Sequence, residues 1–389
     1  MRRFASDRKG TQLNTYLSCH FAKTPPSPFR PAISLAALTI AWAVATHAVA
    51  QPAQPDSTID HATRAQVVEG AIRELNDRYV FPEVATKVGE ALGRSLKSGT
   101  YDAFADATRF AEKLTDDIQA VTRDKHIRVR YSARPLPERA RGQPTTEELA
   151  EYRKQAGMRN FGVEKVERLP LNVGYIELRG FESAELAGEA IAAAMTLMAH
   201  SEALIVDLRR NGGGDPATVA LMTSYLFDER THLNSFYRRE GNRTTQFWTQ
   251  DWVPGKRFGQ IKPVYVLTSR RTFSGAEEFS YNLKHLKRAT IIGETTGGGA
   301  HPGGMRRIHA NFSIFVPDGR AINPITNTNW EGVGVEPDVK VAADDALRTA
   351  QLLALKKIEQ QGGKDADYLK FLRDRIAELE KALPVATAR

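Results

Sequence analysis

Ser274 is the residue of this chain whose setting most invites chemistry. It stands in VLTSRRTFSGAEEF (266–279), where an apolar run passes through a basic bend into a helical pattern. A serine with a glutamate three residues on, here Glu277, is a capping box, and capping explains the pattern by itself. A nucleophile needs a base, a group that orients the base, and donors for an oxyanion. The turn RRNGGGDP (209–216) offers the donors. It follows the apolar run ALIVDL (203–208), and Asp215 and Pro216 suit the cap and first position of a following helix. Three consecutive glycines let backbone N–H groups point into the open, a nest for a phosphate or a developing oxyanion. No Gly-Lys-Ser/Thr follows, and the dinucleotide fingerprint is absent. Gly213, with Gly212 beside it, is the expected donor from this turn. The Gly275 amide, at the start of the helix behind Ser274, is the other.

Both turns must be held at strand-to-helix joints. From about residue 165 the pattern alternates strands, at 173–178, 203–208, 263–268 and 289–293, with helices at 183–199, 216–227 and 275–287. Nearly all-apolar strands between helices predict an α/β sheet covered on both faces, with the two joints meeting at the carboxyl ends of its strands. That core is expected over 165–342. Ahead of it, apolar residues at helical spacing predict a helical domain over 58–122. The alternating Ile127, Val129 and Tyr131 predict a strand, and ARPLPERARGQP (133–144) an exposed connector, within a 123–164 segment. Beyond 343 the chain is helical again, with Leu369, Leu372, Ile376, Leu379 and Leu383 on one stripe that docks on the core.

Composition narrows the class. Of 389 residues, 41% are hydrophobic and 26% charged, the balance of ordinary globular protein. The net charge of +8 misleads. Residues 1–50 hold six bases against one acid, so about +3 remains for the rest, too little to argue for nucleic acid. Those 50 residues have the layout of an export signal: a basic stretch, the apolar run AISLAALTIAWAVATHAVA (32–50), then Ala48-Val-Ala50 before a polar segment. Cleavage near Ala50 and a periplasmic or secreted location follow; retention of the run as an anchor is the alternative. The single cysteine, Cys19, lies in this leader, so the mature chain has neither disulfides nor thiol chemistry. The histidines show no His-Glu-x-x-His spacing, and neither a metal nor a nucleotide cofactor is expected.

Five motifs then occur in order: Gly174-Tyr-Ile-Glu-Leu178, Asp207-Leu-Arg-x-Asn-Gly-Gly-Gly214, Thr268-x-x-x-Thr-x-Ser-Gly-Ala-Glu-Glu-Phe279, Gly293-Glu-Thr-Thr-Gly-Gly-Gly299 and Gly334-Val-Glu-Pro-Asp338. As an ordered set they resemble the tail-specific, C-terminal-processing protease family. The resemblance is strongest to its branch with the interphotoreceptor retinoid-binding protein and the tricorn protease core, and it spans roughly 60–342. It implies a crotonase/caseinolytic-protease-like core. Many members use a serine–lysine dyad whose lysine stands where this chain has Gly299, and a glycine takes no proton. The base is then a histidine. His126, in Asp124-Lys-His126, matches the Asp-x-His motif of the triad-using branch; His301, just after Gly299, is the rival. Glu331 aligns with the glutamate that orients the histidine in tricorn-like relatives. Asp207 and Arg209 are expected as structural ion partners.

These readings converge on an exported serine endopeptidase with a Ser274–His126–Glu331 triad and an oxyanion hole at Gly213 and Gly275, acting on peptides or proteins. A non-catalytic binding protein for an apolar ligand is the rival on the same scaffold, and an acyl-CoA enzyme a more distant one.

Overall fold

The computed structural model describes residues 58–138 and 145–383. The leader, with its expected cleavage site and Cys19, lies outside the described residues, as does part of the 133–144 connector.

The architecture is mixed α/β with helices ahead of it and behind it. A six-stranded sheet runs in the order β12-β8-β7-β4-β3-β2. Its strands are β2 (Val163–Leu169), β3 (Val173–Leu178), β4 (Ala203–Asp207), β7 (Val264–Thr268), β8 (Thr290–Gly293) and β12 (Val339–Lys340). All neighbours are parallel except the β2–β3 pair. Alternate side chains leave opposite faces, and both faces are covered. Ile176, Leu204, Val206, Val266 and Ile291 pack with residues of α5 (Ala184–Met198), α6 (Pro216–Ser224) and α7 (Gly275–His285). Tyr175, Ile205, Leu267 and Ile292 pack with α8 (Ala346–Gln361) and α9 (Ala366–Ala382), whose Leu372, Ile376 and Leu379 carry the docking stripe. Two-sided burial is why these strands read as continuous apolar runs.

A second unit of packing holds the histidine end of the site. Helices α1 (His61–Arg78), α2 (Pro82–Lys97) and α3 (Ala107–Thr122) close over a three-stranded antiparallel sheet, β1 (Val129–Tyr131), β10 (Phe312–Pro317) and β9 (Gly303–His309). Val67, Leu75, Phe110, Leu114, Ile127 and Phe312 are fully buried there. The helical region is thus completed by strands from 180 residues further along the chain. A third sheet, β11 (Gly319–Ile322), β5 (His232–Arg238) and β6 (Arg243–Trp248), forms another wall of the site.

Two features differ from the sequence expectation. The 123–164 segment contains a helix, α4 (Thr146–Met158), with a capping box between Thr145 and Glu148. The β5–β6 hairpin also went unread, because HLNSFYR and RTTQFW carry polar residues on both faces and little alternation.

Candidate active site

Five helices begin at a side chain that accepts a backbone N–H: Asp60, Asp106, Thr145, Asp215 and Asp365. All five residues are extended, with φ between −69° and −86°, the usual backbone of a cap. Ser274 forms a capping box with Glu277 but on a different backbone: its φ is 53° and its ψ −121°. A non-glycine residue held there carries strain of about 1–3 kcal/mol. Capping needs no such backbone. A sharp strand-to-helix turn that lifts a serine Oγ clear of the helix does need it.

Glu277 holds this turn. Its carboxylate accepts the Ser274 N–H at 2.8 Å, as a capping box predicts. It also accepts Thr296 Oγ1 at 2.5 Å and the Gly298 and Gly299 amides at 2.6 and 2.8 Å. The side chain is fully buried; burial raises its pKa and these hydrogen bonds oppose the shift. Glu277 therefore stitches the Ser274 turn to the 293–299 loop.

The glycine turn lies against the same joint. A Cβ on Gly213 would come within 2.7 Å of both the Gly275 nitrogen and Ser274 Cβ, and Gly213 has φ 103°, so no larger residue fits. Asn211, fully buried, donates to Leu178 O at 3.0 Å and accepts from Phe273 N through its own carbonyl at 3.1 Å. Its Oδ1 also accepts the Gly213 N–H at 2.8 Å. The expected oxyanion role of Gly213 is corrected by that bond, because its amide is spent inside the turn. Gly212, Gly214 and Gly275 line the cleft instead. The amides of Gly214 and Gly275 have no acceptor among the described residues.

His126 enters the same cleft, of about 330 Å³, opposite this joint. Its ring lies 4.6 Å from that of Phe273 and is stacked at 5.7 Å on Phe315. The side chain is 10% exposed, and neither ring nitrogen has a hydrogen-bond partner. Burial pulls its pKa down to about 4 against the opposing pull of Asp124, so the ring is neutral at ordinary pH. Lys125 points away and donates to Gly297 O at 2.6 Å, tying the histidine's segment to the 293–299 loop.

Gly299 takes the lysine position of the dyad, and the packing shows what its missing side chain permits. A Cβ there would fall 2.2 Å from Phe273 Cζ and 2.6 Å from His126 Cε1. The rings of Phe273 and His126 fill the space that a lysine would need.

Asp124 is the carboxylate that faces the histidine, and the expected orienter Glu331 lies beside it against His301. Asp124, 1% exposed, sets Oδ1 3.7 Å from His126 Nδ1 and accepts the His126 backbone N–H at 3.0 Å. Its Oδ2 accepts from Tyr79 at 3.3 Å and pairs with His301 Nδ1 at 2.8 Å. Glu331 accepts the Ala300 N–H at 2.5 Å, lies 3.5 Å from His301 Nδ1, and leaves its other oxygen buried without a partner. Burial, then the charge of Asp124, pushes Glu331 up to about 7. Asp124, His126 and Glu331 each place one atom within 4.8 Å of the others. Such a trio could also hold a divalent ion. His301 is packed on Phe81 and bound to the acids, and is absent from the cleft wall. Asp207 and Arg209 form a 2.6 Å ion pair, with Tyr175 on Asp207 and Ala343 O on Arg209.

Sequence reasoning passed over Asp124, Glu277 and Asn211 as site builders. Asp124 was signalled only by its place in Asp-x-His, Glu277 as a cap partner, and Asn211 only by its place in Asp-Leu-Arg-x-Asn-Gly-Gly-Gly.

A strained serine turn and a buried histidine thus share one cleft of an α/β fold, an arrangement common to serine hydrolases. The chain carries a peptidase family S41 domain and the N-terminal domain that accompanies it. Residues 172–341 match the model of that family, and residues 60–160 match the N-terminal domain of Peptidase S41 in eukaryotic IRBP. A carboxyl-terminal-processing peptidase 1 of the chloroplast, from Arabidopsis thaliana, is 25% identical over 183 residues, 46% of this chain and 36% of the relative. The chain thus spans about a third of that relative's length. Among solved structures, a lipoprotein from Streptococcus agalactiae is 14% identical with a TM-score of 0.49, over 75% of this chain and 96% of that one. The photosystem II D1 C-terminal processing protease is 17% identical with a TM-score of 0.42, over 72% of this chain and 93% of that one. Among the described residues, no helix is long and apolar enough to cross a membrane.

Proposed function

We propose that the protein is an exported endopeptidase in which Ser274 attacks the scissile carbonyl and His126 takes its proton. The observation that carries this reading is the pairing on one cleft of a strained serine turn with a neutral histidine whose two nitrogens have no other partner. Asp124 stands on the Nδ1 side of the ring, which leaves Nε2 for the serine hydroxyl. As Oγ bonds to the carbonyl carbon, its proton passes to His126 and the carbonyl oxygen becomes an oxyanion. The Gly275 and Gly214 amides receive that charge. Asp124, with Glu331 behind it, stabilises the imidazolium until it protonates the leaving amine. Water then repeats the sequence on the acyl-enzyme. Export rests on the leader: a basic stretch, an apolar run and a small-residue cleavage site at Ala48-Val-Ala50.

The test is hydrolysis of a peptide mixture by purified protein, with sequencing of its first residues after export. Cleavage lost in Ser274→Ala, and a chain beginning near Gln51, are expected. Equal cleavage by Ser274→Ala would return the serine to a cap, and recovery of 32–50 in a membrane fraction would make the leader an anchor. Phe236, Phe273, Phe315 and Trp330 on the cleft wall favour the rival reading, an apolar-ligand carrier. A carrier would bind such a ligand without cleaving any peptide.

A further inference from the structure

Glu278 takes no part in the acyl transfer described above, yet it lines the same cleft as Ser274. It lies one turn further along α7, about 6 Å down the helix axis from the nucleophile. It is 2% exposed and is the single carboxylate of the cleft wall. Asn234 of β5, fully buried, adjoins it and lends its carboxylate a weak side-chain hydrogen bond. Asn282, four residues further along α7, is likewise fully buried with both amide atoms unpartnered.

The charges around Glu278 leave it without a counter-ion. Asp215 acts on it with the same sign. Of the cleft's basic groups, Arg238 is ion-paired with Asp318, and His126 is neutral at ordinary pH. Burial pushes the Glu278 carboxyl up to about 8, the response of a buried acid that lacks a cation. Phe236, Phe273, Phe315 and Trp330 line the same cleft. Apolar walls ending at an unpaired acid complement a side chain with an aliphatic stem and a cationic tip.

We propose that the part of the cleft beside Ser274 is a specificity pocket for a lysine or arginine side chain preceding the scissile bond, with Glu278 receiving its cationic end. This rests on the peptidase reading. The bound cation returns to Glu278 the charge that burial withholds.

The experiment uses two peptidyl phosphonates identical except for lysine or norleucine at the reactive position, so that they differ in the ammonium alone. Labelling rates of the intact mature protein are compared, with a small fluorophosphonate as control for the nucleophile. The lysine probe is expected to react roughly 10- to 100-fold faster, as for a charge-assisted hydrogen bond. In Glu278→Gln the ratio should fall toward one. Because each ratio is taken on one preparation, a loss of folded protein cancels. Norleucine equal to or faster than lysine in the wild type, while the fluorophosphonate still labels Ser274, would overturn the pocket and leave the peptidase standing. A ratio unchanged in Glu278→Gln would overturn the role of Glu278. No labelling by the fluorophosphonate would overturn the peptidase reading and this pocket with it.

Discussion

Gly299→Ala adds one methyl group, touches no polar atom of the site, and should nonetheless disable it. The new Cβ would meet Phe273 Cζ at 2.2 Å, Phe273 Cε2 at 2.5 Å and His126 Cε1 at 2.6 Å. Ordinary carbon contacts are about 3.5–4.0 Å, so the two rings must together retreat by roughly 1 Å. They cannot do so independently, because they pack on each other at 4.6 Å and His126 is backed by Phe315. Overpacking of this kind costs about 1–3 kcal/mol of stability, which lowers Tm by several degrees without unfolding the chain at 25 °C. A displacement near 1 Å at a proton-transfer group costs about 100-fold in rate. The assay is kcat/KM on a cleaved peptide beside a thermal melt. The expected result is a loss near 100-fold with a modest fall in Tm, partly recovered by Phe273→Leu in the same chain. Wild-type kcat/KM in Gly299→Ala would refute the placement of His126 as base, since its ring could then move freely without consequence.

Other expectations can be checked on the same preparation. His126→Ala should lose turnover, whereas His301→Ala should retain part of it, because His301 reaches the site only through Asp124 and Glu331. The reverse pattern in peptide kinetics would exchange the two assignments. Activity should rise with pH through an apparent pKa near 7: His126 is already neutral above about 4, but Glu331 becomes a carboxylate only near 7. This limb belongs to the coupled acid–histidine group and should vanish in Glu331→Gln, with turnover lower by up to about 10⁴-fold. The same raised pKa has a stability consequence. Protonated Glu331 favours the fold below about pH 4.5, and that contribution is lost as pH rises through 7, so Glu331→Gln should gain on the wild type in melts at pH 8 relative to pH 4.

What the sequence disclosed was what a short window can hold. Strands β3, β4, β7 and β8 are apolar because both faces are buried, and Ser274 sits at a joint between apolar run and helix. The histidine end was legible only through the motif at Asp124 and His126. Its sheet pairs β1 with β9 and β10 across 180 residues, a pairing that no local pattern encodes. Gly213 illustrates the limit at atomic scale. Its glycine is required by close approach to Gly275, but the sequence reading took its N–H for an oxyanion donor, and the Asn211 side chain turns inward to take it. Gly299 is the converse case. Its identity leaves no lysine base there, while what occupies the space of a side chain, the rings of Phe273 and His126, belongs to other parts of the chain.

The central claim is that Ser274 is a nucleophile made reactive by His126, and one measurement tests it directly. Purified mature protein is treated with a fluorophosphonate and the labelled peptide is identified by mass spectrometry, in the wild type and in His126→Ala. The account predicts a single adduct on Ser274 in the wild type and none in His126→Ala at equal folded concentration. An unlabelled wild type, an adduct on another residue, or equal labelling of Ser274 in His126→Ala would contradict it.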